Sequence, residues 1–508
     1  MESAIFKRAI FKGLVYGLLV LLQILWLVAL IISVERRVPW FSTIVAWMAS
    51  AVSIYICTRK NHSSFRLAWI ILISAFPILG IILYLITGIQ HTPRIMEKIY
   101  KENEKRYSGY LQGVDVKRGE TDERSKHLQY YLSEFGKYPV WDNTETEYIP
   151  DGLEGYKMQI EAAKKAKSFI LLEYFAIKND EGFEEMKSVL KKKAASGVEV
   201  NVICDDIGSI SFIDRKFIAE MKESGIHCRI FNPIAPFFKV FMNNRDHRKI
   251  MVVDGVVGFT GGYNMSREYF HMSEPYGFWK DTGIMLKGDA VKSLTAVFLT
   301  MWDSLGEKVP DPDTYFKQQI TCSENMHCYT QPYADDPLDD ERVGYEVYMN
   351  MLREARDYVY FSTPYLVISD EMKEEIISAI KRGIDVRIVI PGIPDKKSIY
   401  RISKDVAREL AEEGVKVYRY VPGFNHAKLC VSDDRVAVIS TVNLDYRSLY
   451  HHYECGVAVY DKRTVNSVVD DLKEMFYASE PVSNEETGKK PVMKKLSNLL
   501  LRMFAPLL

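Results

Sequence analysis

The chain has 508 residues, 47% of them hydrophobic, with 66 Lys and Arg against 67 Asp and Glu, a formal net charge of −1. This composition excludes a disordered chain, and seven cysteines without a CxxC pair exclude a disulfide framework or a zinc ribbon. The balanced charge also lacks the excess of Lys and Arg with which proteins bind the phosphates of nucleic acid. The charge is unevenly distributed, because residues 1–89 hold eight Lys/Arg and two Asp/Glu, a net charge of +6.

The first 89 residues contain three apolar segments without any charged residue or histidine, at 13–34, 38–58 and 67–89. Each is longer than the roughly 18 residues expected of a membrane span. The first is too long for the apolar region of a signal peptide, and no cleavage site of small residues follows it. We therefore predict a membrane anchor over 1–89 with two to three transmembrane helices, in which 13–34 either spans the membrane or lies in its interface. Lys and Arg are divided almost evenly between the two sides, so the membrane face of the remaining chain stays open.

A polar, highly charged stretch at 90–145 is predicted to be a juxtamembrane connector. Two copies of one pattern follow, in which an amphipathic helix leads into a β-branched strand and a second helix leads through Gly into an alternating strand. Strands that alternate with helices predict an α/β fold with a parallel or mixed sheet. One repetition over this length predicts two similar domains from an internal duplication, at 146–320 and 321–482.

The tail at 483–508 is basic and amphipathic. Its apolar residues recur at helical spacing: Leu496, Leu499, Leu500, Met503, Phe504 and Leu507. This pattern is equally typical of a helix on an anionic membrane surface and of a helix packed on the catalytic core.

Each copy carries the same set of reactive side chains at the same place in the repeat. The first reads HRKIMVVDGVVGFTGGYN and the second reads HAKLCVSDDRVAVISTVN. Both contain His-x-Lys-x4-Asp, followed by two small residues, one variable residue and Asn. The candidate residues are His247, Lys249, Asp254 and Asn264 in the first copy and His426, Lys428, Asp433 and Asn443 in the second.

On a strand, His and Lys two residues apart point to the same face. A histidine beside an ammonium group suits a phosphate, and the small residues and Asn supply a close backbone approach and an amide donor. Two such half-sites facing each other would let one imidazole act as nucleophile and the other as general acid, while Lys and Asn stabilise the transition state. This chemistry needs no metal or other cofactor. The two motif aspartates are expected to brace the turn after the strand.

These residues resemble the paired signature of the phospholipase D superfamily and, within it, bacterial-type cardiolipin synthases. The matching segments are NRDHRKIMVVDG, GFTGGYNMSREY, FWKDTG, the TPY at 363–365, HAKLCVSDD and STVNLDYRS, together with the Pro77-x2-Gly80-x3-Tyr84-x3-Gly88 pattern near the amino terminus. The resemblance implies two phospholipase D-like domains that close on one active site. Ser440 departs from the glycine common in the family and leaves the shape of the second turn open.

The resemblance also gives two acidic residues a role, since carboxylates placed like Asp281 and Glu454 orient the catalytic imidazoles across the two halves. It implies that Asp281 pairs with His426 and Glu454 with His247; otherwise both are ordinary surface acids. Analogy favours His247 as the nucleophile, although the sequence does not decide. The other histidines have no ligand spacing.

The implied activity is a membrane phosphatidyltransferase that moves a phosphatidyl group from one phosphatidylglycerol to another through a phosphatidyl-histidine, giving cardiolipin and glycerol. The implied partners are phosphatidylglycerol and an anionic bilayer, without nucleic acid, and the location is the bacterial plasma membrane as a multi-pass protein. The alternatives are a phospholipase D that releases phosphatidic acid, a membrane-tethered nuclease, and a non-catalytic lipid-binding scaffold. The sequence leaves the second lipid, the acyl-chain preference and the oligomeric state open.

Overall fold

The computed structural model describes residues 40–59, 63–88, 94–114, 122–210, 213–233, 244–317 and 329–482, with the single residues 33, 38 and 501. The chain divides into two compact units, one formed by residues 1–89 and one that begins at residue 90. The predicted segment 13–34, apart from residue 33, and the predicted tail 483–508, apart from residue 501, lie outside the described residues.

The amino-terminal unit contains three short helices. They are α1 (Phe41–Cys57), α2 (Ser63–Ala75) and α3 (Pro77–Leu83), and α3 continues into a π-helical turn at Tyr84–Gly88. A small cluster of buried side chains that includes Phe65, Trp69 and Ile73 holds them together. Within the part of the chain that the structure describes, we find no helix that combines the length and apolar character needed to cross a membrane. The predicted transmembrane helices are therefore not confirmed.

The prediction of one uninterrupted helix over 67–89 is wrong, because the chain breaks at Phe76 and Pro77. Proline has no N–H to continue the helical hydrogen bonds, and its ring disfavours helical geometry in the preceding residue. Phe76 accordingly has φ −135° and ψ 74°, and a new helix starts with Pro77 in its first turn.

The second unit contains two mixed sheets, one from each half of the repeat. The strands of the first half are β1 (Thr144–Ile149), β2 (Phe169–Tyr174), β3 (Glu199–Asp205), β4 (Ile226–Phe231), β5 (Lys249–Val253), β6 (Val257–Gly261), β7 (Phe278–Lys280) and β8 (Gly283–Gly288). Seven of them form a sheet in the order β1-β8-β6-β5-β2-β3-β4. β2, β3 and β4 are parallel, and the other neighbours are antiparallel.

The second half repeats this arrangement. Its strands are β9 (Thr330–Asp335), β10 (Tyr358–Ser362), β11 (Leu366–Val367), β12 (Asp385–Pro391), β13 (Lys416–Tyr420), β14 (Gly423–Asn425), β15 (Leu429–Ser432), β16 (Val436–Ser440), β17 (Leu444–Asp445), β18 (Glu454–Val459) and β19 (Ser479–Pro481). The order β19-β13-β12-β10-β15-β16-β18-β9 matches the first sheet strand for strand, with β19 added at one edge. The predicted α/β fold with an internal duplication is confirmed.

Helices cover both sheets. They are α4 (Arg94–Ser108), α5 (Glu123–Glu134), α6 (Gly152–Lys165), α7 (Glu181–Ala195), α8 (Asp206–Ser209), α9 (Arg215–Glu223), α10 (Val291–Leu305), α11 (Asp313–Phe316), α12 (Val343–Glu354), α13 (Asp370–Lys381), α14 (Lys397–Glu412), α15 (Tyr446–Tyr450) and α16 (Lys462–Tyr477), with a 3₁₀ turn at Arg267–Phe270. Most helices that follow a strand begin with an aspartate or serine cap, as Asp180 caps α7 and Ser369 caps α13.

A shared hydrophobic core joins the halves. The inward-facing residues of both sheets, for example Leu171 and Val431, belong to one buried cluster together with α10 and α16. The outer faces of the two sheets pack against their own helices in separate clusters. Because the central core needs both sheets, the two halves of the repeat are not independent bodies.

Short backbone pairings also connect the halves, and they lie directly beside the motifs. β7 pairs in parallel with β14, and the amide of His426 donates to the carbonyl of Lys280. On the other side, the amide of His247 donates to the carbonyl of Tyr453. The backbone of each motif histidine is therefore hydrogen-bonded to the other half of the repeat. The partner residues, Lys280 and Tyr453, come immediately before Asp281 and Glu454.

Candidate active site

The strands β5 and β15 position the motif side chains. Lys249 is the first residue of β5 and Lys428 immediately precedes β15, so that each lysine and the histidine two residues before it share one side of an extended chain. Both ammonium groups turn back and donate to the carbonyl of their own histidine, 2.5 Å away. The intervening Arg248 points the other way, where it is fully buried and pairs with Glu173 at 2.7 Å and Asp246 at 3.0 Å.

The structure brings the two motifs to one cavity of about 260 Å³. His247, His426, Asn264 and Asn443 all line it. Aromatic rings flank the imidazoles, with Phe175 5.1 Å from His247 between ring centroids, and further rings 5.4 to 5.5 Å from His426 that belong to Tyr269 and Trp279. The cavity therefore excludes much of the surrounding water from a group held between the two imidazoles.

Each imidazole contacts a buried carboxylate from the other half. Nδ1 of His247 lies 2.9 Å from both carboxylate oxygens of Glu454, and Nδ1 of His426 lies 2.6 Å from Oδ2 of Asp281. Both acids are 0% exposed, so neither is an ordinary surface acid, and the pairing is the one that the resemblance implies. It follows from the backbone connections, since the amide of each histidine donates to the carbonyl of the residue that precedes the acid in the other half.

The two half-sites differ in their surroundings. Glu454 also accepts a hydrogen bond from the Thr441 hydroxyl, whereas Gly262 occupies the matching position beside Asp281. A Cβ on Gly262 would come within 2.0 Å of Oδ1 of Asp281, so a side chain there would displace the carboxylate. Only in the second half does the lysine approach the imidazole, with Nζ of Lys428 2.8 Å from Nδ1 of His426. The duplicated site is thus chemically asymmetric.

Burial dominates the protonation of these groups. It lowers the pKa of His247 and of His426 well below the usual range, and the neighbouring lysines lower both further. Burial also raises the pKa of Asp281 to about 7. The same cause lowers the pKa of Lys249 to about 8 and that of Lys428 to about 7. Burial therefore favours neutral imidazoles and only partly protonated lysines, and a negative charge nearby would favour the charged forms.

Asp254 and Asp433 lie at the far ends of the motif strands, about 16 Å along the chain from the lysines at 3.3 Å per residue. Asp254 accepts hydrogen bonds from the backbone amides of residues 167–169, and Asp433 does the same for residues 356–358. Both have φ near +54°, at 53° and 54°. These contacts hold the turn against the start of the adjacent strand, and neither carboxylate lines the cavity.

Asn264 and Asn443 occupy matching positions with different contacts. Asn264 accepts from the amide of Ala176 and donates to the hydroxyl of Tyr269. Oδ1 of Asn443 is buried without a hydrogen-bond partner among the described residues. Nearby, Ser440 adopts no left-handed backbone, and its hydroxyl lies 2.9 Å from that of Tyr348, so the departure from glycine causes no strain.

Several side chains of the cavity wall carry no role in the sequence prediction, among them Lys396, Arg447 and His452. His452 lies 5.5 Å from His247 between ring centroids, and its Nδ1 is 3.5 Å from Oε1 of Glu454. The two-residue spacing to Glu454 is a signal that could have found it. Arg447 lies in the matching segment STVNLDYRS but received no role there. Lys396 has no such signal, because its position depends on how the loop after β12 folds.

His247, His452 and Glu454 have ligand atoms within 4.8 Å of one another, a set that a divalent metal could use. The ammonium groups of Lys249 and Lys428 are close enough to affect the pKa of His247, and their charge opposes a cation at this point. The prediction of chemistry without a metal stays a prediction.

The duplicated mixed sheets and the two His-Lys motifs facing one cavity define the class of phospholipase D-like proteins. The family described as "Cardiolipin synthase, PLD-like domain" matches residues 159–302 and 348–476, and a family described as "Phospholipase_D-nuclease N-terminal" matches residues 45–88. The chain belongs to the cardiolipin synthase family of phospholipase D-like proteins.

Individual relatives agree with this assignment. A cardiolipin synthase of Alkalihalophilus pseudofirmus is 31% identical over 90% of this chain and 92% of its own length. An uncharacterized protein of Streptococcus mutans is 38% identical over 90% of this chain and 99% of its own. Among solved structures, a phosphatidylserine synthase of Haemophilus influenzae shares the fold, with a TM-score of 0.58, 15% identity, and coverage of 75% of this chain and 100% of its own. Family and fold together support a phospholipid phosphatidyltransferase in general terms.

Proposed function

We propose that this protein is a cardiolipin synthase that transfers a phosphatidyl group from one phosphatidylglycerol to a second one. The observation that carries the proposal is the pair of imidazoles on one cavity, each with a buried carboxylate at Nδ1. A phosphodiester between the imidazoles would meet a nucleophile on one side and a proton donor on the other.

The asymmetry of the half-sites supports His247 as the nucleophile. Glu454 accepts a hydrogen bond from the Thr441 hydroxyl, and both of its carboxylate oxygens lie 2.9 Å from Nδ1 of His247. A carboxylate acceptor at Nδ1 favours a proton there and leaves the lone pair on Nε2, the atom that attacks phosphorus.

His426 has the opposite surroundings. Its Nδ1 faces the Lys428 ammonium group at 2.8 Å and an Asp281 carboxyl whose pKa burial raises to about 7. Two potential donors at Nδ1 favour the tautomer with the proton on Nε2, where it can be transferred to a leaving group. His426 is therefore the proposed general acid.

In the first step, Nε2 of His247 forms a bond to phosphorus and the bond from phosphorus to the glycerol headgroup breaks. His426 gives the proton on Nε2 to the departing glycerol oxygen and takes one at Nδ1 from Lys428 or Asp281, so that the imidazole stays neutral. In the second step, Nε2 of His426 removes a proton from the hydroxyl of the acceptor phosphatidylglycerol, and Nδ1 returns its proton to the same partner. That oxygen bonds to phosphorus as the bond to His247 breaks, giving cardiolipin. Lys249, Lys428 and the two asparagines supply positive charge and amide donors to the phosphoryl oxygens.

The proposed location is the bacterial plasma membrane. The match of residues 45–88 to the amino-terminal family region and the net charge of +6 in residues 1–89 support contact with an anionic bilayer. The proposed lipid partners are phosphatidylglycerol and the bilayer that contains it.

The test is incubation of the purified full chain with phosphatidylglycerol vesicles, with lipid products and free glycerol measured together. We expect one glycerol for each cardiolipin, and phosphatidic acid without cardiolipin would instead make the protein a phospholipase D. His247→Ala and His426→Ala should each lower turnover by at least about 100-fold, the lower range for loss of an acid–base group. The exposed His227 supplies the control variant His227→Ala.

Trapping the intermediate separates the two histidines. We expect ³²P-labelled phosphatidylglycerol to label His426→Ala and not His247→Ala. The reverse pattern would exchange the proposed roles, and full activity of either variant would refute a shared site.

A further inference from the structure

The cavity wall contains two exposed cations that do not belong to the His-Lys motifs, Lys396 and Arg447, besides the buried Arg245, which pairs with Asp205 at 3.2 Å. Both side chains are exposed, whereas Lys249 and Lys428 are almost completely buried. Neither Lys396 nor Arg447 forms an ion pair within 4.0 Å of another described residue. The site thus has two buried motif lysines, which do not line the cavity, and two exposed cations on the cavity wall.

The local sequence around Lys396 is unfavourable for the helix that it begins. Lys396 is the N-cap of α14 and makes no capping hydrogen bond, Lys397 follows it, and the first turn holds no acidic residue. Cations at a helix amino terminus oppose the helix dipole, and an anion there is favoured. By contrast, α13 starts with a Ser369 cap followed by Asp370 and Glu371. The arrangement at α14 therefore indicates a function in binding.

Unpartnered polar atoms face the same cavity. Among the described residues, Oδ1 of Asn443 and Nε2 of His452 are buried without a hydrogen bond, and Nδ1 of His452 has only the 3.5 Å contact with Oε1 of Glu454. Buried polar groups in folded proteins are nearly always hydrogen-bonded. A bound group with polar atoms would supply the missing partners.

Lys396 also affects the reaction centre by its charge. After burial and the motif lysines, it contributes to lowering the pKa of both catalytic imidazoles. Lys396 therefore lies near the two imidazoles but outside the two strands that carry the motifs. Arg447 lies on the same side, since both cations interact with the carboxylate of Asp445.

We propose that Lys396 and Arg447 form a second phosphate subsite, which binds the phosphodiester of the acceptor phospholipid while the motif lysines hold the phosphoryl group being transferred. The inference rests on the proposed function, because it assigns the second of the two phosphates in the product. The apolar side chains of Ile399 and Ile402 line the cavity next to Lys396 and suit the lipid part of the acceptor. The subsite selects an anionic phospholipid over water or a free alcohol as acceptor.

The experiment compares two acceptors of the same phosphatidyl-enzyme. Cardiolipin formation uses an acceptor with a phosphate, and exchange of radiolabelled glycerol into phosphatidylglycerol uses an acceptor without one. In the double variant Lys396→Gln/Arg447→Gln, we expect the ratio of cardiolipin formation to glycerol exchange to fall by about 10- to 100-fold, as for the loss of charge-assisted hydrogen bonds. The fall should appear in the KM for the acceptor lipid.

Two control variants test whether the effect depends on these two positions and on their charge. Lys397→Gln removes a neighbouring exposed cation that does not line the cavity and should leave the ratio unchanged. The charge-conserving double variant Lys396→Arg/Arg447→Lys should keep most of the cardiolipin formation relative to glycerol exchange. Glycerol exchange also reports whether a variant is folded.

The outcomes distinguish the two proposals. An unchanged ratio in the double variant, or an equal loss of both reactions, would overturn the subsite. If the unmodified protein makes phosphatidic acid and no cardiolipin, the proposed function itself fails, whatever the variants do.

Discussion

The motif lysines are buried ammonium groups whose charge the folded protein supports only in part. Burial brings the pKa of Lys249 to about 8 and that of Lys428 to about 7, although Glu454 and Asp281 nearby favour the charged forms. A bound phosphodiester would add a negative charge within reach of both and raise both pKa values. Substrate binding is therefore expected to be coupled to proton uptake.

This coupling predicts a loss of activity at alkaline pH. In the proposed function the protonated lysines bind the anionic lipid. The kcat/KM for phosphatidylglycerol should therefore fall as the pH rises through about 7 to 8, mainly through a higher KM. The measurement is a pH profile between about 6 and 9.5 on vesicles of fixed composition. Lys249→Arg should move the alkaline limb to higher pH, because a guanidinium stays charged. A profile that is flat to pH 9.5 would contradict the role of the lysines.

At the same scale, the sequence predicted the reactive residues but not their environment. His-x-Lys spacing on a strand identified His247, Lys249, His426 and Lys428, because period-two geometry is local. The asymmetry made by Thr441 and Gly262, and the positions of Lys396 and Arg447, depend on contacts between distant segments. No local pattern records such contacts.

At the scale of elements, the motif aspartates explain how each strand keeps its register. The carboxylate of Asp433 accepts hydrogen bonds from three backbone amides at the start of β10 and also pairs with Arg124 at 2.7 Å. The adjacent Asp434 has a similar φ of 50° but is exposed and accepts only from the hydroxyl of Tyr358. Substituting each of the two neighbours in turn therefore separates the effect of the Asp433 hydrogen bonds from the effect of changing a turn residue.

Asp433→Ala should lower the free energy of unfolding by about 2–4 kcal/mol more than Asp434→Ala, because it removes several hydrogen bonds to a charged acceptor. The backbone effect of alanine at positive φ is common to both variants and cancels in the comparison. Denaturant unfolding measures the difference, and turnover per folded molecule should be nearly normal in both. A stable but inactive Asp433→Ala would show that the aspartate takes part in catalysis.

Elements were predicted best where their pattern repeats. The two α/β copies could be read from the sequence because helix and strand periods recur in the same order in each. The segment 67–89 was misread because its hydropathy is continuous across Pro77, while the backbone is not. Hydropathy measures preference for an apolar environment and carries no information on a missing amide hydrogen.

On the scale of the whole molecule, the two halves share both a core and a polar network. Lys280 precedes Asp281 in the first half, and its ammonium group donates to Asp471 of α16 in the second half at 2.6 Å. The hydroxyl of Tyr148 donates to the same carboxylate at 2.5 Å. Asp471 is 8% exposed, so these bonds join the halves directly behind a carboxylate of the active site.

Asp471→Ala should therefore destabilise the protein and impair the site together. It leaves the buried Lys280 ammonium group with the carbonyl of Pro150 but without its carboxylate partner, for which we expect a loss of about 3–5 kcal/mol in the free energy of unfolding. Movement of Lys280 should also disturb Asp281 and His426 and lower kcat. Asp470→Ala, at a side chain that is 73% exposed, is the matched control and should change neither quantity measurably. Because the two halves share a core, thermal unfolding of the unit that begins at residue 90 should remain a single transition in both variants. Separate transitions for the two halves, or equal stability of the two variants, would show that the duplicated domains are coupled only at the cavity.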